Sequence, residues 1–95
     1  MKVNICKFEL RIAYAHSLKE KRSVIKKIIM KVRNKFNVSI AEVEHQDLWQ
    51  RATLGFAMVG SSDMNTTAVM DNIIKYIEEN FEIEAIELSN ELITL

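Results

Sequence analysis

Proline is missing from the chain, glycine occurs only twice, and cysteine and tryptophan once each. With those residues so scarce, and with no low-complexity segment, the sequence contains neither a linker nor a hinge. A lone Cys6 excludes an intramolecular disulfide, a zinc ribbon and an iron–sulfur site. Long apolar runs are absent too. The longest, Leu54 to Gly60, is far too short to span a bilayer, and no signal-type apolar stretch follows Met1. These absences predict a cytoplasmic protein with no membrane contact. What is present, 48% hydrophobic and 27% charged residues over a length of 95, predicts one globular domain spanning 1–95 rather than a disordered tail. At this mass about two-thirds of the unfolded chain's surface can be buried in a single core.

Net charge is zero, with thirteen Lys/Arg against thirteen Asp/Glu, but the charges are segregated. Residues 1–36 hold eleven Lys/Arg and two acids, net +9, while residues 37–95 hold two Lys/Arg and eleven acids, net −9. Lys19, Lys21, Arg22, Lys26, Lys27, Lys31, Arg33 and Lys35 fall in one stretch opposed only by Glu20. Such asymmetry points to a polyanionic or acidic partner, or to pairing within the chain or between subunits.

From Lys7 to Ile12 polar and apolar residues alternate, which predicts a strand covered on one face; Val3 and Ile5 are out of phase, suggesting a bulge near Ile5–Cys6 or the strand's start. Ser17 and Glu20 have capping-box spacing. Leu18, Ile25, Ile28, Ile29, Val32 and Phe36 then form a helical stripe, with Asn37 as the stop. Val38–Val43 and Ala52–Val59 read as two further strands. Ser61, Ser62 and Asp63 compete to cap a second helix, whose inward face is Val69, Met70, Ile73, Ile74, Ile77 and Phe81 and whose end lies near Asn80. Ile83–Leu88 is a fourth strand, with Ser89–Leu95 as a tail or its extension. The order βαββαβ closes most economically as an α+β, ferredoxin-like sandwich: a four-stranded antiparallel sheet with both helices on one face.

The basic residues divide into two rows on the first helix, Lys27, Lys31 and Lys35 on one flank and Lys19, Arg22, Lys26 and Arg33 towards the other. Contacts of these rows with phosphates would give salt-dependent binding to RNA without base specificity. Pairing with Asp71, Glu78 and Glu79 on the second helix is the competing expectation. At the helix start His16, Ser17, Lys21 and Arg22 can converge on a phosphate, although the capping box uses the same N–H donors. The segment from Glu44 through His45, Gln46, Asp47, Leu48, Trp49 and Gln50 to Arg51 concentrates hydrogen-bonding types around the single tryptophan. Trp49 as a packing clasp and Arg51 bound to a carboxylate is the leading reading, ahead of a recognition surface. An acid/base pair of His45 and Asp47 lacks a nucleophile, and no set of metal ligands is spaced for the task.

Gly55-Phe56-Ala57-Met58-Val59 has the look of an RNA-recognition-motif strand. Phe56, however, shares the inward phase of Leu54 and Met58, so aromatic base stacking on the sheet is excluded, as are KH-type and Walker A loops. Small residues Thr53, Gly55 and Ala57 on the other face of that strand predict close approach of a second sheet, and with it a homodimer.

The run from His16 to Arg22, Phe36-Asn37-Val38-Ser39, and Ala41 through Gly55 together resemble the YlxP-like family of small bacterial proteins over nearly the whole chain, with Glu44 standing where the family has an aspartate. The resemblance implies the same ferredoxin-like fold but no mechanism, since that family is uncharacterised. Its genes often lie near those for translation initiation factor two and ribosome-binding factor A, which implies a role around ribosome assembly or translation. The expectation is therefore a non-catalytic RNA- or ribosome-associated accessory factor, with ribosomal RNA or the ribosome as partner and neither cofactor nor metal. A homodimeric interaction or regulatory module is the alternative, and an enzyme using His45, Asp47 and Arg51 is third.

Overall fold

The computed structural model describes all 95 residues. Its elements run β1 (Lys2–Arg11), α1 (Leu18–Lys35), β2 (Ser39–Glu44), β3 (Arg51–Gly60), α2 (Thr66–Asn80) and β4 (Glu84–Thr94). The sheet order is β2-β3-β1-β4, every neighbouring pair antiparallel, which is the ferredoxin-like arrangement expected. α1 lies against β2, and α2 lies against β1, β3 and β4.

The buried face of β1 is Asn4, Cys6, Phe8 and Leu10, continued by Ile12, so the strand keeps one phase throughout and has no bulge at Ile5–Cys6. The apparent phase change arises because a polar residue holds a core position. Asn4 is fully buried, and its amide donates to Thr66 Oγ1 at 3.3 Å while Cys6 Sγ donates to its carbonyl oxygen at 3.3 Å. A buried amide satisfied in this way costs little, whereas an unpaired one is strongly unfavourable. The irregularity lies across the ladder in β4. Lys7 pairs with Ser89 and Phe8 with Glu87, leaving Leu88 as the extra residue. β4 therefore runs through Thr94, resolving Ser89–Leu95 as strand extension.

Ala52, Leu54, Phe56 and Met58 of β3 face the helices and meet Ile25, Ile28 and Val32 of α1 and Met70, Ile73 and Ile77 of α2. Phe8 and Phe56 pack edge to face at 5.8 Å between ring centroids, as do Phe36 and Tyr76 at 5.7 Å. The cap of α2 is Asn65, not Ser61, Ser62 or Asp63: its side-chain oxygen accepts from Ala68 N at 3.0 Å. The three earlier residues form a turn of their own, in which Ser61 Oγ donates to Asp63 at 2.7 Å and Met64 N to Ser61 O at 3.1 Å. β3 ends at Gly60, where a side chain would not fit: a Cβ would meet Thr66 Cγ2 at 2.8 Å and Met64 Sδ at 2.9 Å. No helix is long and apolar enough to cross a membrane.

Candidate nucleic-acid interface

α1 starts at Ser17, whose hydroxyl accepts from Glu20 N at 3.1 Å, and the Glu20 carboxylate reaches back to His16 N at 3.0 Å. That closes a capping box displaced by one residue, and the N–H groups of His16 and Glu20 at the helix start are engaged by the chain itself rather than free for a phosphate. Lys21 is a second departure from the expected anion cluster. Its side chain is 0% exposed. Its ammonium donates to Glu42 Oε2 at 2.9 Å and to the carbonyls of His45 at 2.9 Å, Gln46 at 3.1 Å and Arg51 at 3.3 Å. Three N–H donors thus serve four acceptors, with none left for phosphate. Lys21 pins the connection between β2 and β3 to the first turn of α1.

The other seven basic residues of α1, Lys19, Arg22, Lys26, Lys27, Lys31, Arg33 and Lys35, are exposed, and none forms an ion pair. The expected bridges to Asp71, Glu78 and Glu79 are not made; Glu79 lies 4.0 Å from Lys75 on its own helix. On the α2 flank Lys31 lies over the Phe81 ring at 5.5 Å and Lys35 over Tyr76 at 4.5 Å, cation–π contacts that leave the charge uncancelled. On the other flank Lys26 and Arg33 line a recess of about 450 Å³ with Ile29, Met30, Ile40 and Glu42, and Arg33 donates to Ile40 O at 3.0 Å. Helical spacing puts Arg22 and Lys19 on this same flank, so four cations follow the groove between α1 and β2.

At the end of that groove sits the connection 45–50. Val43 is an extra residue in the β2–β3 ladder, and His45 follows at φ 63°, the left-handed region that histidine enters more readily than most side chains. The Lys21 bond to its carbonyl and a 2.7 Å hydrogen bond between His45 Nδ1 and buried Thr53 Oγ1 hold it there. No hydrogen bond joins His45 to Asp47, which is exposed, so the acid/base pair is not assembled. Gln46 serves through its carbonyl; its side chain points to solvent. Gln50 Nε2 donates to Ala13 O at 3.0 Å and Ala15 O at 3.2 Å, fastening the connection to the approach to α1. Trp49 does not act as the expected clasp: polar groups carry the anchoring, and Trp49 is 55% exposed beside exposed Leu48.

Arg51 does find the carboxylate expected of it. Its Nη2 and Nε donate to Glu9 Oε1 at 2.6 and 2.9 Å, and Arg11 Nε donates to Glu9 Oε2 at 3.2 Å. The Arg51 hydrogen bonds, helped by Arg11 and opposed by burial, hold the Glu9 carboxyl below the usual glutamate range. Burial, reinforced by Glu87 and Asp71, pushes the Cys6 thiol up to about 11, so it stands in the core as a neutral thiol that donates to Asn4. No three His, Cys, Asp or Glu residues converge as a metal site.

The sheet face turned away from the helices is a second surface. Ile5, Val43, Val59 and Ile93 are exposed on it around Gly55 and Ala57, and a shallow groove of about 330 Å³ runs between Ile5, Ala41, Val43 and Ala57. Only the Lys7–Glu44 pair, at 3.2 Å, crosses its middle.

These features define a small α+β domain of ferredoxin-like topology with a cationic helix face, an anchored aromatic loop and an open sheet. The chain belongs to the family described as Protein of unknown function (DUF503), whose model matches residues 3–90. It is similar to the uncharacterized protein YlxP of Bacillus subtilis (strain 168), with 44% identity over 82 residues covering 86% of this chain and 89% of that protein. Neither description names an activity.

Proposed function

We propose that this protein is a non-catalytic RNA- or ribosome-associated accessory factor that contacts phosphates through α1. The observation that carries the reading is the set of seven exposed α1 cations without a carboxylate partner, in a chain whose other segments hold twelve acids. A solvated structural helix in a neutral protein would gain by interspersing its charges. Here they are all of one sign but for Glu20. Lys21 belongs to the scaffold, and the row Lys19, Arg22, Lys26 and Arg33 is the principal contact, since its groove leaves room for a phosphate backbone. The engaged His45 ring and the protonated Cys6 support a binding role over an enzymatic one.

Cosedimentation with ribosomal subunits at low and high salt tests this. Wild type is expected to pellet with a subunit at low salt and release at high salt, and Arg22→Glu with Lys26→Glu is expected to abolish pelleting. Absence of binding at low salt refutes the reading.

The open sheet face favours a second reading, in which two copies pack face to face. Four strands of this length present on the order of 600 Å² per copy. The total of roughly 1,200 Å² reaches the lower bound for a specific interface. The apolar side chains around the small Gly55–Ala57 strip suit an isologous contact. This homodimer leaves the α1 groove open, so the two readings are compatible.

A further inference from the structure

We propose that Trp49 and Arg51 form a nucleotide site for single-stranded RNA, in which one base stacks on the indole while its phosphate meets the free Nη groups of Arg51 and Arg11. The inference rests on the α1 reading and names the form of nucleic acid that surface takes.

Four observations converge. Trp49 is the chain's only tryptophan and is more than half exposed, although an indole buries readily wherever a core has room for it. The loop that carries it is not slack: Lys21, Gln50 and the His45–Thr53 bond tie it to α1, to the approach to α1 and to β3. A rigid frame that holds an aromatic side chain out in solvent is preorganised, so little entropy is lost when a base stacks on it. Two adjoining recesses share Gln50 and Arg51. One, of about 550 Å³, includes Trp49 and Leu48, and the other, of about 310 Å³, is bounded by Arg11 and Ala13. Glu9 occupies the Nε side of both guanidinium groups and Nη2 of Arg51, so two arginines and one carboxylate leave a local charge of +1 directed outward. Finally, the loop stands where the cationic groove ends, because Lys21 joins it to the first turn of α1.

Duplex RNA would satisfy the cations but present no free base face to Trp49, and its readable edges are largely hidden. A single strand meets both requirements, backbone along the groove and base on the ring, the combination used by single-strand binders generally. On the far side of Arg11 a recess lined by Glu78, Glu79, Glu82 and Glu84 repels phosphate, so the strand ends or turns away there.

With one tryptophan, intrinsic fluorescence reports this site alone. The test titrates the full chain with end-labelled single-stranded oligouridylate, reading RNA anisotropy and tryptophan emission together, alongside an RNA duplex and heparin, a polyanion without bases. Single-stranded RNA is expected to quench Trp49, and duplex and heparin to bind without quenching. Trp49→Ala is expected to weaken single-strand affinity by about 5- to 150-fold. Trp49→Phe should recover part of that loss, and both variants should keep the wild-type melting temperature because the side chain is exposed. If the single strand binds with unchanged emission and Trp49→Ala binds as tightly as wild type, the stacking site is refuted while the α1 reading stands. If anisotropy shows no binding of any RNA at low salt, both fall.

Discussion

Lys21 occupies a core position of α1 with a charged head, and its ammonium serves Glu42 and the carbonyls of His45, Gln46 and Arg51 together. Lys21→Met keeps the volume but removes the ammonium from Glu42 and from three carbonyls, of which His45 O alone keeps a bond from the loop, donated by Leu48 N. Breaking a largely buried pair from one side costs roughly 3–5 kcal/mol. For a domain of this size each kcal/mol moves the midpoint by about 4–8 °C. A fall of more than about 12 °C in Tm is therefore expected by calorimetry, with a smaller fall for Lys26→Met, which is exposed. Glu9 gives a pH signature. Its folded pKa lies below the ordinary value of 4.5, so its stabilisation is complete above that range and is lost as pH falls through the lowered folded value. Thermal melts of wild type and Glu9→Gln should differ most near neutral pH and converge in acid. Some of this residue-scale chemistry was legible in the sequence. The stripe Leu18, Ile25, Ile28, Val32 skips one core position, and Lys21 fills it; read by position rather than by charge, Lys21 is a core residue. The buried Asn4 had no such signal, because its partner Thr66 lies 62 residues away.

At the scale of elements, both helices and all four strands were legible in the sequence, but β1 begins at Lys2, ahead of the alternation that starts at Lys7, α2 is capped at Asn65, and β4 runs on past Leu88 to Thr94. Asn65 rather than Ser61, Ser62 or Asp63 caps α2 because those three form a local turn first. The loop 45–50 was legible as a concentration of unusual residues but not in its roles. A sequence cannot show that Lys21 and Gln50 do the anchoring, and so the only tryptophan looked like the clasp. That division of labour predicts a local effect: hydrogen exchange in Lys21→Met should quicken first in residues 44–51, ahead of β1 and β3, since the anchor and not the sheet is lost. The two rows of α1 were fully legible from 3.6-residue spacing. Their lack of acidic partners was not, because ion pairing depends on how α1 and α2 sit together.

The whole molecule presents three distinct surfaces: the α1 groove, the anchored loop and the open sheet. If the sheet pairs two copies, sedimentation velocity should give a species of twice the monomer mass at micromolar concentration, and Val59→Asp or Ile5→Asp should return it to monomer while leaving α1 binding to RNA intact. A monomer at all concentrations removes the face-to-face assembly. For the groove, neutralising four phosphates of a single strand predicts a slope near −3 for log affinity against log salt. Each glutamine placed at Lys19, Arg22, Lys26 or Arg33 should flatten that slope by about 0.7.

α1 flanks the β2 edge of the sheet, whereas Asp71, Glu78 and Glu79 of α2 and Glu84, Glu87 and Glu91 of β4 crowd the opposite edge. A particle with no net charge is not drawn as a whole towards a polyanion, yet one polarised across its width experiences a torque in that field. If α1 binds RNA as proposed, the molecule on its approach turns its cationic edge forward before any contact forms and holds its acidic edge away. Encounters are then expected to be orientationally biased, with an association rate, read by stopped flow, that falls with added salt despite a formal charge of zero.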